Sequence, residues 1–196
     1  MSASLALLRH APTSWNLERR LQGRADVTLA PEGRAELALM RLPAPYAGWR
    51  ALASPLARCV ETASLLGLVV AIEPRLVEMD WGAYQGFTLD ELRRRFGAGF
   101  AATERRGLDL APPGGESPRQ VQARVAPLLA ELASAGRPTL AVAHRGVIRA
   151  VYARAVGWDM TGDPPDALDP GALHVFALDA AGEPGVERLN VALEPR

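Results

Sequence analysis

Four residues of the sequence could together bind and transfer an oxyanion: Arg9, His10, Arg58 and His144. A neutral imidazole can attack phosphorus, and a guanidinium offers a planar fork of donors that matches a phosphate or a carboxylate. A single histidine usually serves packing or solvation. Two histidines that each follow an apolar run and stand beside arginine instead predict a site for an anionic substrate.

Three short apolar runs must bring these residues together, at 5–8, 51–53 and 140–143. A segment of helical period, or a loop leading to one, follows each run, as in parallel sheets covered by helices. Ligands bind beyond the carboxyl ends of parallel strands. We therefore predict an α/β fold, a three-layer α/β/α sandwich with a mostly parallel central sheet, whose strand ends converge in one crevice.

A helix and an antiparallel edge complete the predicted scaffold. Ser117, Pro118 and Gln120 have the pattern of an N-cap, a first helical residue and the partner that closes a capping box. An apolar stripe with helical spacing follows them and predicts a helix that covers the sheet. The runs 173–178 and 186–189 flank a turn and predict an antiparallel hairpin at the sheet edge.

The composition limits what the chain can bind. The 22 basic residues, all arginine, balance 22 acidic ones, so no broad basic field exists to hold nucleic acid or an anionic membrane. The single cysteine, Cys59, excludes an intrachain disulfide and fits a reducing compartment. The opening run, 4–8, is too short for a signal peptide or a membrane span. We expect a cytoplasmic protein that binds a small anion through a local cluster.

The length of 196 residues is that of one domain, and we predict a single domain over 1–196. The segment 84–115 is the least regular part of the sequence and is a candidate cap over the crevice. Its arginine-rich stretch, 93–106, has no role that the sequence identifies.

Five ordered motifs resemble those of the histidine phosphatase superfamily, also called the phosphoglycerate mutase-like family. They lie at 8–16 with 21–26 and 31–33, at 53–63, at 76–86, at 114–117 and at 144–149. The motifs cover most of the chain in the family's order. The resemblance implies a phosphoglycerate mutase-like fold and a phosphohistidine intermediate. It implies no metal and no cofactor, because arginine and histidine supply the positive charge.

The resemblance also implies catalytic roles. His10 would be the nucleophile, and Arg9, Arg58 and His144 would surround the phosphoryl oxygens and stabilise the charge of the transition state. Glu78 would protonate the leaving alcohol and then activate water against the phosphohistidine. These five residues form the predicted catalytic set.

Further residues are implied in substrate binding, together with Arg9, Arg58 and His144. Asn16 resembles the family's amide donor to the phosphate, and Gln22 and Gly23 would line its approach. One departure is Ala11, where the family usually has glycine, so the loop after His10 must accept a methyl group near the phosphate.

Other residues near the motifs keep alternative roles. Asp80 is close enough in sequence to act as the acid in place of Glu78, although the spacing of Glu78 matches the family. Arg145 and Arg149 could touch the substrate, but solvation or pairing with a carboxylate is their more ordinary role. His174 alternates with apolar residues and is expected to pack in a strand.

The expected function is hydrolysis of a small phosphomonoester through a phosphohistidine on His10, with the phosphorylated metabolite itself not identified. The mutase pattern has a lysine shortly after Gly86, where this chain has Phe87, Thr88 and Leu89. A phosphoglycerate mutase of the 2,3-bisphosphoglycerate-dependent type is the alternative, and a non-catalytic module that binds a phosphorylated ligand is the second. We expect no nucleic acid or membrane partner, and a homodimer stays open.

Overall fold

A computed structural model describes residues 3–196 and contains eight strands. They are β1 (Ala3–Arg9), β2 (Met40–Arg41), β3 (Arg50–Ala53), β4 (Val70–Ile72), β5 (Thr139–Ala143), β6 (Leu173–Leu178), β7 (Pro184–Val191) and β8 (Glu194–Pro195). Six of them form the central sheet in the order β4-β3-β5-β1-β6-β7, while β2 pairs with β8. Strands β4, β3, β5 and β1 run parallel, and β6 and β7 add an antiparallel edge. The predicted sheet is confirmed.

Helices cover both faces of this sheet. They are α1 (Ser14–Leu17), α2 (Pro31–Ala38), α3 (Ala57–Leu65), α4 (Leu89–Glu104), α5 (Pro118–Ala135) and α6 (Arg145–Val156). Leu5 and Leu7 of β1 pack into the core that α5 and α6 cover, whereas Ala6 and Leu8 pack into the core on the α3 face. This period of two is what a strand buried on both faces requires. The three-layer α/β/α sandwich follows from it.

Helix α5 begins as its capping residues predict. Ser117 Oγ accepts from the Gln120 amide at 3.2 Å, and Gln120 Oε1 accepts from the Ser117 amide at 2.7 Å. The helix ends at Gly136, whose φ of 63° lies in the left-handed region that favours glycine. The predicted apolar stripe is buried against the sheet, and its members are Val121, Val125, Leu128, Leu129 and Leu132.

The segment 84–115 is more regular than the sequence analysis predicts, because α4 occupies half of it. Thr88 and Glu91 form a capping box at its start, and Leu92 and Phe100 bury its apolar side. Gly97 interrupts the helix with φ 49° and ψ −124°, which bends it between its two halves. The expectation of an irregular segment was therefore wrong over this helix, and its role as a cap stays a prediction.

The predicted hairpin is present with slightly different bounds. Strand β7 starts at Pro184, which pairs with Leu178, so the turn is shorter than the sequence pattern indicates. No helix within residues 3–196 is both long and apolar enough to cross a membrane.

Candidate active site

Two predicted site residues and one further side chain lie at the carboxyl ends of three adjacent strands. Arg9 ends β1, His144 follows β5 and caps α6, and Ser54 follows β3. The His10 amide donates to the carbonyl of Ala143 at 3.1 Å, which extends the pairing of β1 with β5 into the site. The strand order β3-β5-β1 therefore brings together ends that are far apart in sequence.

His10 is held in the form that a nucleophile needs. Its Nδ1 lies 2.8 Å from the carbonyl oxygen of Ala11, and because a carbonyl only accepts, Nδ1 carries the proton. The lone pair is thus on Nε2. Burial, together with Arg58 and Arg9, lowers the pKa of His10 to about 3. The imidazole is neutral at physiological pH, with Nε2 able to attack.

The loop after His10 is tied to the helix that carries Arg58. The Ala11 amide donates to Thr62 Oγ1 at 3.0 Å, and Thr62 Oγ1 donates to the Arg58 carbonyl at 2.7 Å. Ala11 has a negative φ and is buried in the core of the α3 face. Its methyl group, unusual at this position, therefore packs without backbone strain.

Arg9 and Arg58 each have a buried donor without a partner. Arg58 is 0% exposed, and its Nη atoms donate to the carbonyls of Ala25 and Gly23 at 2.7 and 2.9 Å. The Nε atoms of both arginines are buried without a partner, and Gln22 Oε1 is the third such side-chain atom among the described residues. A buried polar group without a partner costs about 1–3 kcal/mol. An anion held by both Nε groups would remove that cost.

Glu78 has the environment of a proton donor. Its Oε1 accepts from the Met79 amide at 2.8 Å and its Oε2 from the Gly146 amide at 3.1 Å. Burial raises the pKa of Glu78 despite these donors and the two arginines, so the carboxyl group holds its proton to a higher pH than an exposed one does.

Asp80, the alternative acid, is directed elsewhere. It accepts from the Gly82 amide at 2.8 Å and lies 3.7 Å from Arg24, while Glu78 lines the cavity and Asp80 does not.

Asn16, Gln22 and Gly23 line the same cavity. Asn16 Oδ1 accepts from the Thr13 amide at 3.0 Å in the capping box of α1, which leaves the amide nitrogen of its side chain for a ligand. Gly23 has φ 54°, and a Cβ there would lie 2.8 Å from Gln85 Oε1. Glycine is therefore favoured at Gly23, whose carbonyl accepts from Arg58.

His144 lies behind His10 and not on the cavity wall. It is 0% exposed, its ring centroid is 5.2 Å from that of His10, and Nε2 shares a hydrogen bond of 2.7 Å with Ser54 Oγ. Burial lowers the pKa of His144 well below its usual range, so its ring is neutral. Its predicted contact with the phosphoryl oxygens stays a prediction.

Ser54 is a contact that the sequence analysis misses. It follows an apolar run, as Arg9 and His144 do, and this shared position at a strand end was the signal available.

Cys59, whose Sγ lies 3.4 Å from His144 Nε2, donates to the carbonyl of Ala143 at 3.3 Å, and burial raises its pKa. His174 is buried, with Nε2 3.1 Å from the carbonyl of Asp169, in agreement with packing.

The cavity has a volume of about 600 Å³, in the range of small-molecule sites.

Arg145 is exposed as a solvated residue would be, but it lines this cavity together with the half-buried Arg149. Neither forms an ion pair with a carboxylate in the described part of the chain. Of the two ordinary roles expected for them, solvation therefore fits Arg145, and pairing with a carboxylate is found for neither residue in the described part of the chain. Residues 3–196 contain no cluster of three or more histidine, cysteine or acidic side chains suited to a metal ion.

Comparison with known proteins gives the family. The histidine phosphatase superfamily (branch 1) matches residues 5–192. A 2,3-bisphosphoglycerate-dependent phosphoglycerate mutase of Methylobacterium radiotolerans is 31% identical over 194 residues, which cover 92% of this chain and 92% of the relative. A glucosyl-3-phosphoglycerate phosphatase of Mycobacterium tuberculosis is 34% identical over 164 residues, 76% of this chain and 73% of the relative.

Solved structures share the fold over nearly the whole chain. A mycobacterial glucosyl-3-phosphoglycerate phosphatase in complex with VO3 superposes with a TM-score of 0.79 at 26% identity, covering 97% of this chain and 100% of that one. A protein described as mycobacterial hydrolase 1 gives 0.81 at 27% identity, with 98% and 100% covered. The motifs, the fold and these matches agree, and the chain belongs to the histidine phosphatase superfamily, branch 1.

Proposed function

We propose that this chain hydrolyses small phosphomonoesters through a phosphohistidine on His10. The observation that carries the proposal is the pair of buried, unpartnered Nε donors of Arg9 and Arg58 next to a neutral His10. Donors fixed in advance around a nucleophile stabilise the charge that develops on the phosphoryl oxygens. The removal of one such donor typically slows the reaction about 100- to 1000-fold.

The first chemical step joins Nε2 of His10 to phosphorus. The bond between phosphorus and the ester oxygen breaks, and the departing oxygen takes the proton of the Glu78 carboxyl group. The raised pKa of Glu78 supports this role, because the group must be protonated before the step begins. Arg9 and Arg58 hold the phosphoryl oxygens, and the Asn16 amide adds a further donor.

The second step returns the enzyme to its starting state. The Glu78 carboxylate takes a proton from water, and the resulting oxygen nucleophile attacks the phosphohistidine. Inorganic phosphate leaves, His10 recovers its lone pair, and Glu78 is again protonated. One carboxyl group serves both steps because the proton that it loses in the first is regained in the second.

Phosphoryl transfer back to a phosphoglycerate is the second candidate, because the curated relatives include mutases as well as a phosphatase. Leu89 favours hydrolysis. It lies three residues after Gly86, near where the mutase pattern has a lysine, and it lines the cavity. An apolar side chain at this position does not supply the cation of the mutase pattern. The structural relative in complex with VO3 is also a phosphatase.

The test is a panel of phosphomonoesters in which free phosphate and isomerised product are measured together. The proposal predicts that phosphate is released without added 2,3-bisphosphoglycerate and that isomer is a minor product. Isomer formed faster than phosphate would make the chain a mutase. Binding without either product would make it a non-catalytic module.

A matched pair of histidine variants identifies the nucleophile. We expect His10→Gln to abolish phosphate release, because no other imidazole among the described residues lines this cavity. His174→Gln removes a buried histidine from the sheet edge and should retain turnover at a temperature where it stays folded. Robust turnover by the His10→Gln variant would refute the mechanism.

A further inference from the structure

Arg145 and Arg149 lie four residues apart on α6 and both line the cavity. Residues at this spacing share one face of a helix. Arg145 directly follows His144, so this face begins next to the phosphoryl end of the cavity and leads away from it. The two guanidiniums therefore border the space that the leaving group of a substrate would occupy.

The cavity carries more positive charge than a single phosphoryl group requires. Six arginines and two glutamates line it. One of the arginines, Arg20, is already paired with Glu18 at 2.7 Å, and one of the glutamates, Glu104, is paired with Arg93 at 2.7 Å. The second glutamate, Glu78, has both oxygens occupied by the Met79 and Gly146 amides and leaves at least three of the six arginines without a carboxylate partner.

Arg9 and Arg58 match the charge of one phosphoryl group. The arginines that then stay without an ion pair among the described residues are Arg19, Arg145 and Arg149. The chain as a whole has a formal net charge of zero, so this excess of positive charge is local to the cavity. A local excess of fixed positive charge attracts a second anionic group.

Arg149 is held in place without using its donors. Its guanidinium lies over the ring of Trp158, 5.0 Å from the centroid. The Trp158 indole is itself fixed, because its N–H donates to the carbonyl of Thr161 at 3.1 Å and its ring meets Tyr152 edge-on at 6.3 Å. Stacking orients the planar fork and leaves its N–H groups free for a carboxylate or phosphate.

An adjoining cavity of about 460 Å³ shares Arg9, Arg145 and Arg149 with the first one and includes Asp163 and Asp169 in its wall. No ion pair links Asp163 to Arg145 or Arg149 in the structure of residues 3–196. The donors of both arginines are therefore not taken up by this carboxylate, and both residues line the cavity that contains His10.

Resting on the proposed phosphatase activity, we propose that Arg145 and Arg149 form a second anion subsite that selects phosphomonoesters whose leaving group carries a carboxylate or a second phosphate. The phosphoryl group to be transferred binds between Arg9 and Arg58. The second anion of the same substrate binds the α6 arginines. These two residues determine specificity and take no part in bond breaking.

The test compares substrates that differ in one group. The carboxylate arm pairs 3-phosphoglycerate with glycerol 3-phosphate, in which a hydroxymethyl group replaces the carboxylate. The phosphate arm pairs fructose 1,6-bisphosphate with fructose 6-phosphate. We expect kcat/KM to favour the more anionic member of at least one pair by about 10- to 100-fold, the contribution typical of hydrogen bonds to a charged group. The arm that shows the preference identifies the anion.

The variant with both Arg145→Gln and Arg149→Gln should reduce this ratio to about one, mainly through KM. The variant with both Arg137→Gln and Arg188→Gln is the matched control, because it removes the same two charges at exposed positions that do not line the cavity. The control should keep the wild-type ratio. A ratio of one in both arms for the wild-type enzyme, or a preference that survives the substitution of both Arg145 and Arg149, would overturn the subsite.

Calorimetry separates this proposal from the proposed activity. The same pairs of compounds are titrated into the His10→Ala variant, whose fold is checked by circular dichroism. The ratio of the wild-type KM values for the two members of each pair is the second readout. Tighter binding of the more anionic ligand supports the subsite, whether or not any substrate is hydrolysed. If the wild-type enzyme hydrolyses none of the four compounds, that result refutes only the proposed phosphatase activity. Hydrolysis of both members with equal kcat/KM and equal affinity refutes the subsite alone.

Discussion

The backbone amide of Gly146 donates a hydrogen bond to Glu78 Oε2 at 3.1 Å and fixes the carboxyl group against the start of α6. A Cβ on Gly146 would collide with Glu78 Oε1. Glycine is required here by the close approach of a side chain and not by its backbone angles, because its φ is not positive. The position of the Glu78 carboxyl group thus depends on the absence of a side chain at Gly146.

Gly146→Ala should therefore displace Glu78 and slow the hydrolysis of alkyl phosphates about 100-fold, the loss expected when a catalytic group moves by roughly 1 Å. Steady-state kcat on glycerol 3-phosphate measures the effect. Gly48→Ala is the control, because a Cβ at Gly48 meets nothing within 4 Å. Equal rates for the two variants would show that the Gly146 contact does not position the acid.

Glu78→Gln should separate substrates by their leaving groups. An alkoxide leaves poorly unless it is protonated, so alkyl phosphates should lose about two to four decades of rate in the first step. The p-nitrophenolate ion leaves without that help, so p-nitrophenyl phosphate should lose far less, and phosphohistidine should accumulate. Single-turnover kinetics measures both. The same loss on both substrates would make Glu78 a positioning residue, with Asp80→Asn as the next variant to test.

The buried neutral His10 predicts a stability that falls in acid. Its pKa is about 3 in the folded protein against an ordinary 6.5, so between these values the unfolded chain binds a proton that the folded chain does not. Stability therefore decreases as pH falls through this window, by up to about 1.4 kcal/mol per pH unit from this residue.

Urea unfolding in phosphate-free buffer from pH 8 to pH 4 measures the effect. His10→Gln should show a shallower decline than the wild type below pH 6.5, while at pH 8, where the histidine is neutral in both states, the decline has not begun. The raised pKa of Glu78 acts in the opposite direction in both proteins, because it stabilises the fold on the acid side. Identical slopes for the two proteins would mean that His10 is not buried as the structure has it.

Metal removal and oxyanions test the charge of the site. Activity should survive dialysis against a chelator, because Arg9 and Arg58 supply the positive charge that a metal would otherwise give. Vanadate and free phosphate should compete with the substrate for the same donors. Loss of activity in chelator, with recovery on zinc or magnesium, would contradict the site as described.

The scaffold was predictable where local chemistry and long-range packing agree. Ser117 and Gln120 start α5 by bonds between near neighbours, and the apolar runs before His10 and His144 become adjacent parallel strands. Thr88 and Glu91 gave the same capping signal for α4, but the arginine runs and glycines around it favoured an irregular segment. Only tertiary contacts, such as those of Phe100, show which side of that helix is buried.

The places of the predicted site residues in the fold were more predictable than their contacts. The position of a residue after a strand places it at the crevice, which is why Arg9 and His10 lie where the sequence analysis expects them. The partner of each side chain depends on the loops that cross the site. Ser54 therefore takes the Nε2 atom of His144, and Arg149 stacks on Trp158 and not on a carboxylate.

The central claim is that His10 carries the phosphoryl group, and rapid-quench mass spectrometry of the enzyme with p-nitrophenyl phosphate tests it most directly. The account predicts a transient, acid-labile phosphate on the peptide that contains His10. This species should form and decay at rates that match turnover, and it should accumulate in the Glu78→Gln variant. Release of phosphate with no such species, or a phosphate on another residue with His10 unmodified, would contradict it.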